Sequence, residues 1–382
     1  MRILFASWPG YGHLLPMVPL IRAAQRGGHD VVVSSGRDMS DVIARLGVAA
    51  HSSGVTMAES YARMPGDTMI SQMPPEEQSG FAARHLFGAG AVDRSRDLLD
   101  LMETWRPDLV VHDTLELGAP VAAEANGIQH VTHGYGPMLP DNAALVAAVG
   151  SAIQAAGLSD PVPAVFGAPY LDIAPPALRR PGTGPWTMVR ALRPSAGEVG
   201  ADPSLSSKLS ALPHADSIYV TLGTVMNQAP EVFRAVIEGC SRLRVNVIVT
   251  TGPGFDAALL GPTRSDIFSA PFLPQADVLP HCTAVVSHAG AGTMLGALCH
   301  GLPQLCLPQS TDQPFNTAAL MPTGAALALQ PDQITPDAVS GALGRLIDEP
   351  SFRQAANRLR GEIDQMPDAD TVLDDILAER RR

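Results

Sequence analysis

From its first residue the chain alternates short apolar runs with longer helical patterns, and this rhythm constrains its fold more than any other feature. Residues 2–7 read as a buried strand, followed by a Gly/Pro loop and a helical stretch over about 14–25; residues 30–34 form a second strand after Gly27 and Gly28. The same order recurs over 109–111, 116–126 and 128–132. Strands separated by helices require crossover connections and therefore a parallel sheet. A second such pattern starts at 217–222, with further strands at 245–250, 284–287, 304–307 and 325–329 and helices near 231–240, 292–300 and 336–346. At 382 residues the chain exceeds the ~250–300 at which a single core stops growing. The spacing thus predicts two doubly wound α/β domains, over 1–200 and 216–360, with a linker at 201–215 and a polar terminal helix in 361–382. Sheets of this kind bind ligands at the carboxyl ends of their strands, and two of them joined by a linker leave a cleft.

Two stretches depart from the rhythm. Residues 51–90 are rich in Met, Ser, Pro and Gly, including Met57, Met64, Met69 and Met73. They read as a lid or pocket wall, or else as disorder. With Phe81 and Phe87 they suit an adaptable apolar pocket. Residues 159–215 carry many prolines and glycines.

Composition excludes several classes. The formal net charge is −12, with no basic run before Arg380, Arg381 and Arg382, so a phosphate-neutralising face for nucleic acid is missing. An anionic ligand must then be held by local dipoles. The four cysteines form no C-x-x-C pair and fit buried thiols in a reducing compartment rather than a disulfide or zinc framework. No apolar run reaches the ~18 residues of a membrane span, and Pro9 and Gly10 cut short the first one, so it does not read as a signal peptide. A soluble, cytoplasmic protein is expected. Lys208 is the one lysine among 26 cationic residues, a bias of GC-rich bacterial genomes.

Five motifs carry chemistry. Ser287-His288-Ala289-Gly290-Ala291-Gly292-Thr293 follows an apolar strand and opens a helix. Small residues there admit close approach to backbone N–H groups, and the helix start adds partial positive charge: a phosphate cradle, with a bare strand-to-helix turn as the alternative. Thr221-Leu222-Gly223-Thr224, after the first strand of the second domain, can add a hydroxyl and an N–H. In Pro271-Phe272-Leu273-Pro274-Gln275, Phe272 is either a stacking platform for a base, with the Leu273 main chain at its edge, or a core residue. Asp312 and Gln313 offer adjacent acceptors and an amide donor for sugar hydroxyls, or Asp312 caps a helix. In the first domain, Trp8-Pro9-Gly10-Tyr11-Gly12-His13 follows strand one, where His13 can take a proton. Asp113, after the 109–111 strand, ends at the same edge and can fix the histidine's tautomer. His112 and Glu116 are alternates for that part.

Gly12-His13 with Pro16, Phe272–Gln275, Ser287–Thr293 and Asp312-Gln313, in this order over nearly the whole chain, resemble the inverting nucleotide-sugar glycosyltransferases of GT-B fold. Within these the sequence is most similar to bacterial enzymes of antibiotic biosynthesis and secondary metabolism that decorate macrolides, aromatic polyketides and enediynes. The resemblance implies two Rossmann-like domains facing across a cleft, with the acceptor in 1–200, the nucleotide-sugar in 216–360, and the helix in 361–382 packing back on the first domain. It implies His13 as base and Asp113 as its orienting acid. Gly12, Thr224, His288, Gly290, Ala291, Gly292 and Thr293 are implied around the diphosphate, Phe272 and Leu273 at the base, and Asp312 and Gln313 at the sugar. No metal or cofactor is implied beyond the nucleotide-sugar as co-substrate. The partners are that donor and a hydrophobic polyketide-like acceptor, with no nucleic acid or membrane; a homodimer stays open.

Relatives that use UDP-sugars carry a glutamate for the ribose hydroxyls where this sequence has Gly296. A 2-deoxyribose could not fully use that carboxylate, which points to a dTDP-deoxysugar donor with UDP-sugar as the alternative. A nucleotide-sugar epimerase and a non-catalytic nucleotide-sugar-binding partner protein are the competing functions. A dinucleotide oxidoreductase fits poorly, because Leu15 stands where G-x-G-x-x-G needs its third glycine.

Overall fold

The first sheet is built from Arg2–Ala6 (β1), Asp30–Ser35 (β2), Ala49–Ser52 (β3), Leu109–Asp113 (β4), His130–His133 (β5), Tyr170–Asp172 (β6) and Val189–Ala191 (β7). In the computed structural model, which describes residues 1–64, 73, 75–139, 142–179, 184–196, 204–223, 229–252, 254–261 and 264–379, these strands lie in the order β3-β2-β1-β4-β5-β6-β7. Every pairing is parallel. The second sheet holds Asp216–Thr221 (β8), Val245–Thr250 (β9), Ile267–Ala270 (β10), Ala284–Ser287 (β11), Gln304–Cys306 (β12) and Ala326–Ala328 (β13). Its order is β10-β9-β8-β11-β12-β13, again parallel throughout.

Helices cover both faces of such sheets, so the central strands are apolar on both sides. Ile3, Leu4, Phe5, Leu109, Val110 and Val111 are buried in the first sheet, and Ile218, Val220, Val285 and Val286 in the second. Each strand order reverses once, between β1 and β4 and between β8 and β11. There the connections leave in opposite directions and open a crevice at the strand carboxyl ends. Ala6 is level with His112 at one switch point, and Thr221 with Ser287 at the other.

The chain forms two compact units, one of residues 1–174, 179–193 and the segment from Met366, the other of 175–178 and 194–365. The terminal helix Ala369–Glu379 thus belongs with the first sheet, where it packs against Val18–Arg26. Arg26 donates to both oxygens of Asp370 at 3.2 and 2.7 Å, and the Arg193 amide donates to the Pro367 carbonyl at 2.8 Å.

Several local expectations change. The described residues of the stretch 51–90 are largely regular: β3 ends in it, and Met57–Ala62, Pro75–Ala82 and the start of Ala89–Trp105 are helical. Met69 lies outside the described residues. Of the expected linker 201–215, residues Leu205–Ser210 form a helix whose Leu205 and Leu209 are buried with Tyr219 and Ile248 in the second unit's core. The Pro/Gly-rich stretch before it contains β6 and β7.

The four cysteines are free; Cys240, Cys282 and Cys306 are buried, and burial pushes each thiol up to about 12. No helix among the described residues is long and apolar enough to cross a membrane.

Candidate functional site: a histidine–aspartate pair and a phosphate-binding turn

At the β1/β4 switch point the chain leaves β1 through Ser7 to Gly10 and turns into the short helix Tyr11–Leu14, which carries His13. Asp113, the last residue of β4, is fully buried, with Oδ1 at 3.1 Å from His13 Nδ1. A carboxylate only accepts, so Nδ1 donates, and in the neutral ring this leaves the lone pair on Nε2. The Trp8 amide donates to Asp113 Oδ2 at 2.5 Å and the Leu115 amide to Oδ1 at 2.8 Å. Burial pushes the Asp113 carboxyl up, yet the charge and hydrogen bond of His13 and these two amides together hold it below the usual carboxylate value. An ionised, rigidly held acid beside a half-buried imidazole is the arrangement of a general base with its orienting partner. The Tyr135 ring packs 4.9 Å from that of His13. Nothing lies within 4 Å of a Cβ built on exposed Gly12, so the chain beside His13 is open.

The alternates are committed elsewhere. His112 is buried, Nδ1 donating to the Asp113 carbonyl at 3.1 Å, with the Thr132 hydroxyl 3.3 Å from Nε2. Glu116 pairs with Arg94, Oε2 lying 2.7 Å from Arg94 Nε, and both are sealed from solvent. Burial pushes the Glu116 carboxyl up to about 7 despite the Arg94 charge.

In the second unit, the switch point between β8 and β11 assembles the other motifs. The turn after β11 runs through His288 and Ala289, the latter in the left-handed region at φ 64°, into the helix Ala291–Cys299 with Gly290 at its start. Gly223, two residues beyond β8, has φ 82°, and a Cβ on it would sit 2.8 Å from His288 Cε1 and Nε2. A Cβ on Gly290 would overlap His288 Nε2 outright. These glycines make room for the imidazole, a use that the sequence did not disclose. Burial lowers the pKa of His288 against the Asp312 charge, and its Nδ1 is buried with no hydrogen-bond partner among the described residues. A neutral ring beside a helix N-terminus, with a nitrogen in need of a partner, suits a phosphate oxygen. Gly292 is exposed with open space around it.

Thr293 is buried, its hydroxyl accepting from Gln275 Nε2 at 2.9 Å. Phe272 is 47% exposed, which removes the core alternative, whereas the Leu273 side chain is buried beside Val278 and Leu279. Asp312 precedes the helix Gln313–Leu320 but caps none of its amides. Its carboxylate instead accepts from Asn316 Nδ2 at 2.7 Å and the Thr311 hydroxyl at 3.1 Å. Gln313 is buried, and its Oε1 accepts from the amides of Gln309 and Ser310 at 2.8 and 3.2 Å, so that oxygen braces the loop. Thr224 lies outside the described residues.

Asn316 went unnoticed in the sequence. Its Nδ2 also donates to the carbonyl of left-handed Ala289 at 3.0 Å, tying the phosphate turn to Asp312. Its position one turn into the helix after Asp312 was the available signal. At Gly296 a Cβ would meet Leu279 at 3.3 Å and Gln275 Oε1 at 3.4 Å, so the Leu279 and Gln275 side chains border that position. Among the described residues no three His, Cys, Asp or Glu side chains group as a metal site.

An alanine at Gly290 must displace His288, and overpacking of this kind costs about 1–3 kcal/mol. If the turn holds a diphosphate as the sequence leads one to expect, nucleoside-diphosphate affinity of Gly290→Ala should fall about tenfold or more, measured by calorimetry; undiminished affinity would separate His288 from phosphate binding.

Residues 22–178 match the N-terminal and residues 235–378 the C-terminal domain described as erythromycin biosynthesis protein CIII-like. The L-demethylnoviosyl transferase of Streptomyces niveus is 30% identical over 100% of this chain and 99% of its own length. The chain belongs to this family of bacterial natural-product glycosyltransferases. Another relative, the 10-deoxymethynolide desosaminyltransferase of Streptomyces venezuelae, is 27% identical over 95% of this chain and 93% of its own. The glycosyltransferase SnogD from Streptomyces nogalater has a similar structure, with a TM-score of 0.78 at 25% identity, covering 100% of this chain and 99% of that one. Glycosyltransferase VinC, solved in complex with dTDP, gives 0.79 at 25% identity over 100% of both chains. The fold of this glycosyltransferase is accordingly GT-B, with two Rossmann-like domains.

Proposed function

We propose that this glycosyltransferase moves a deoxysugar from a dTDP-sugar to a hydroxyl of a hydrophobic natural-product acceptor, with inversion and with His13 as general base. The observation that carries the reading is the 3.1 Å contact between His13 Nδ1 and a buried Asp113 oriented by two amides. The acceptor hydroxyl attacks the anomeric carbon and gives its proton to His13 Nε2, while the bond from that carbon to the diphosphate oxygen breaks on the opposite face. The departing dTDP takes the electron pair. Its charge meets the amides that open the helix Ala291–Cys299 and the imidazole of His288, dipoles already in place before the reaction. This stabilisation requires no metal. Asp312 receives sugar hydroxyls, and the exposed Phe272 ring stacks on the thymine.

Three observations favour the thymidine nucleotide: Gly296 supplies no carboxylate for a ribose 2′-hydroxyl, Leu279 and Gln275 border that position, and VinC was solved with dTDP. Calorimetric titration with TDP, UDP and NADH tests the reading. Tighter binding of TDP is the expected result. A preference for UDP would overturn the donor assignment, and binding of NADH alone would overturn the transferase reading.

A further inference from the structure

The N-terminal unit buries an arginine–glutamate pair next to its histidine–aspartate pair, and neither member has a part in the reaction proposed above. Arg94 lies on the inner face of the helix Ala89–Trp105 with Ala91, Ser95, Leu98 and Met102, fully sealed from solvent. Its guanidinium carbon stands 4.1 Å from the centroid of the Trp8 ring, and its Nε 2.7 Å from Glu116 Oε2. Phe87 meets the same indole edge-on at 4.8 Å.

The surrounding chain is cut to fit this side chain. A Cβ on Gly54 would come to 2.7 Å from Arg94 Cγ, one on Gly90 to 2.7 Å from Nη1, and one on Gly118 to 2.7 Å from Cβ. Gly54 and Gly90 thus leave room for the arginine side chain, Gly90 for the Trp8 ring as well, and Gly118 lets its helix approach the main chain at Arg94 and Ser95. A buried ion pair is seldom more stabilising than apolar residues of the same volume, so stability alone does not account for such a slot. The two groups that Arg94 touches share another property. The Trp8 amide donates to Asp113 Oδ2 at 2.5 Å, and the Glu116 amide donates to the Asp113 carbonyl at 3.1 Å.

We propose that Arg94 is a positioning residue: by lying over Trp8 and beside Glu116 it holds the Trp8 amide that fixes the Asp113 carboxylate and the Glu116 amide that fixes the Asp113 main chain, and so keeps Asp113 aligned with His13. The inference rests on the assignment of His13 as base. A broad, planar guanidinium can lie over the indole and still stand 2.7 Å from the Glu116 carboxylate, which the compact ammonium of a lysine cannot do.

The test compares Arg94→Lys with the double variant Arg94→Met/Glu116→Leu, which removes both charges and leaves no unpaired carboxylate in the core. Two readouts are followed: the split of kcat from donor KM, and the downfield Nδ1 proton resonance that a histidine shows when hydrogen-bonded to a carboxylate. In the double variant kcat is expected to fall about 10- to 100-fold, as for a partly misaligned general base, with donor KM unchanged and the His13 resonance broadened or moved upfield. Arg94→Lys, which keeps the charge and loses the stack, is expected to show the same signature. Wild-type kcat and an unshifted resonance in the double variant, once its thermal midpoint matches the parent, would overturn the proposal and leave Arg94 a packing residue. The resonance is read without turnover. Failure of the parent protein to transfer sugar would therefore tell against the base assignment and not against the alignment of Asp113.

Discussion

Replacing His13 with alanine is expected to lower sugar transfer by about 10²- to 10⁴-fold, the usual worth of a positioned general base, while TDP binding stays at the parental level. Removal of the imidazole leaves the acceptor hydroxyl to attack with its proton still attached. The donor-binding residues proposed here belong to the other unit, apart from Gly12, so the loss should fall on turnover. Asp113→Asn is expected to approach the same deficit by a different route. Its amide can donate to Nδ1, favouring the tautomer that puts the proton on Nε2, where it cannot accept one. Steady-state transfer and calorimetry on the same preparations check both results. An Asp113→Asn protein with parental turnover would show that the 3.1 Å contact does not orient the base.

The second large effect concerns stability. Burial drives the His112 imidazole down to about 3, aided by the neighbouring His130, and burial drives His133 down to about 4. In the unfolded chain both rings titrate near ~6.5. The unfolded state therefore binds more protons on acidification, and stability that is complete above ~6.5 drains away as pH falls toward these lowered values. At roughly 1.4 kcal/mol per pH unit, each ring withdraws on the order of 3 kcal/mol by pH 4.5. The buried Glu116 carboxyl, raised to about 7, works the other way over the same range and offsets about one of the two rings. The thermal midpoint of the N-terminal unit is thus expected to fall between pH 6.5 and 4.5 by the worth of about one ring. His112→Asn keeps a donor for the Asp113 carbonyl and has nothing to titrate, so its midpoint should fall less steeply. Equal slopes in parent and variant would place the acid sensitivity elsewhere.

Much of this site could be read in the sequence because its signals are local. A strand, a glycine-rich turn and a helix start lie within a dozen residues of one another, both around His13 and around His288. Strand order then brings Asp113 to His13, and this required only that β4 be recognised as a buried run. Residues that act across the fold gave no such signal. Arg94 and Arg96 look alike on paper, and only the helix phase set by Ala91, Leu98 and Met102 distinguishes the buried one. Gly290 reads in the sequence as admitting a ligand, and the structure adds that its missing side chain also leaves room for the ring of its neighbour, His288. The strands β3, β6, β7 and β10 are absent from the sequence reading: β3, β7 and β10 lie at sheet edges with half-exposed residues and no buried apolar run, and β6 is three residues ending in Asp172, whereas the equally short β12 and β13 sit within apolar runs. The helix Met57–Ala62 did have a signal, since Thr56 and Glu59 form a capping box, but the methionines around it drew the reading toward a lid.

The return of the chain to its first unit at Met366 dictates how the two halves can be recombined between relatives. A cut after residue 193 would strip the first sheet of the helix Ala369–Glu379, along with its bonds to Arg26 and Arg190. A chimera meant to inherit another enzyme's donor preference should therefore exchange an internal cassette, 194–365, and retain the native tail. Grafts that carry the tail along with the cassette would confront the recipient's Val18–Arg26 helix with a foreign partner, and poor yield from such grafts would reflect that mismatch rather than incompatible chemistry.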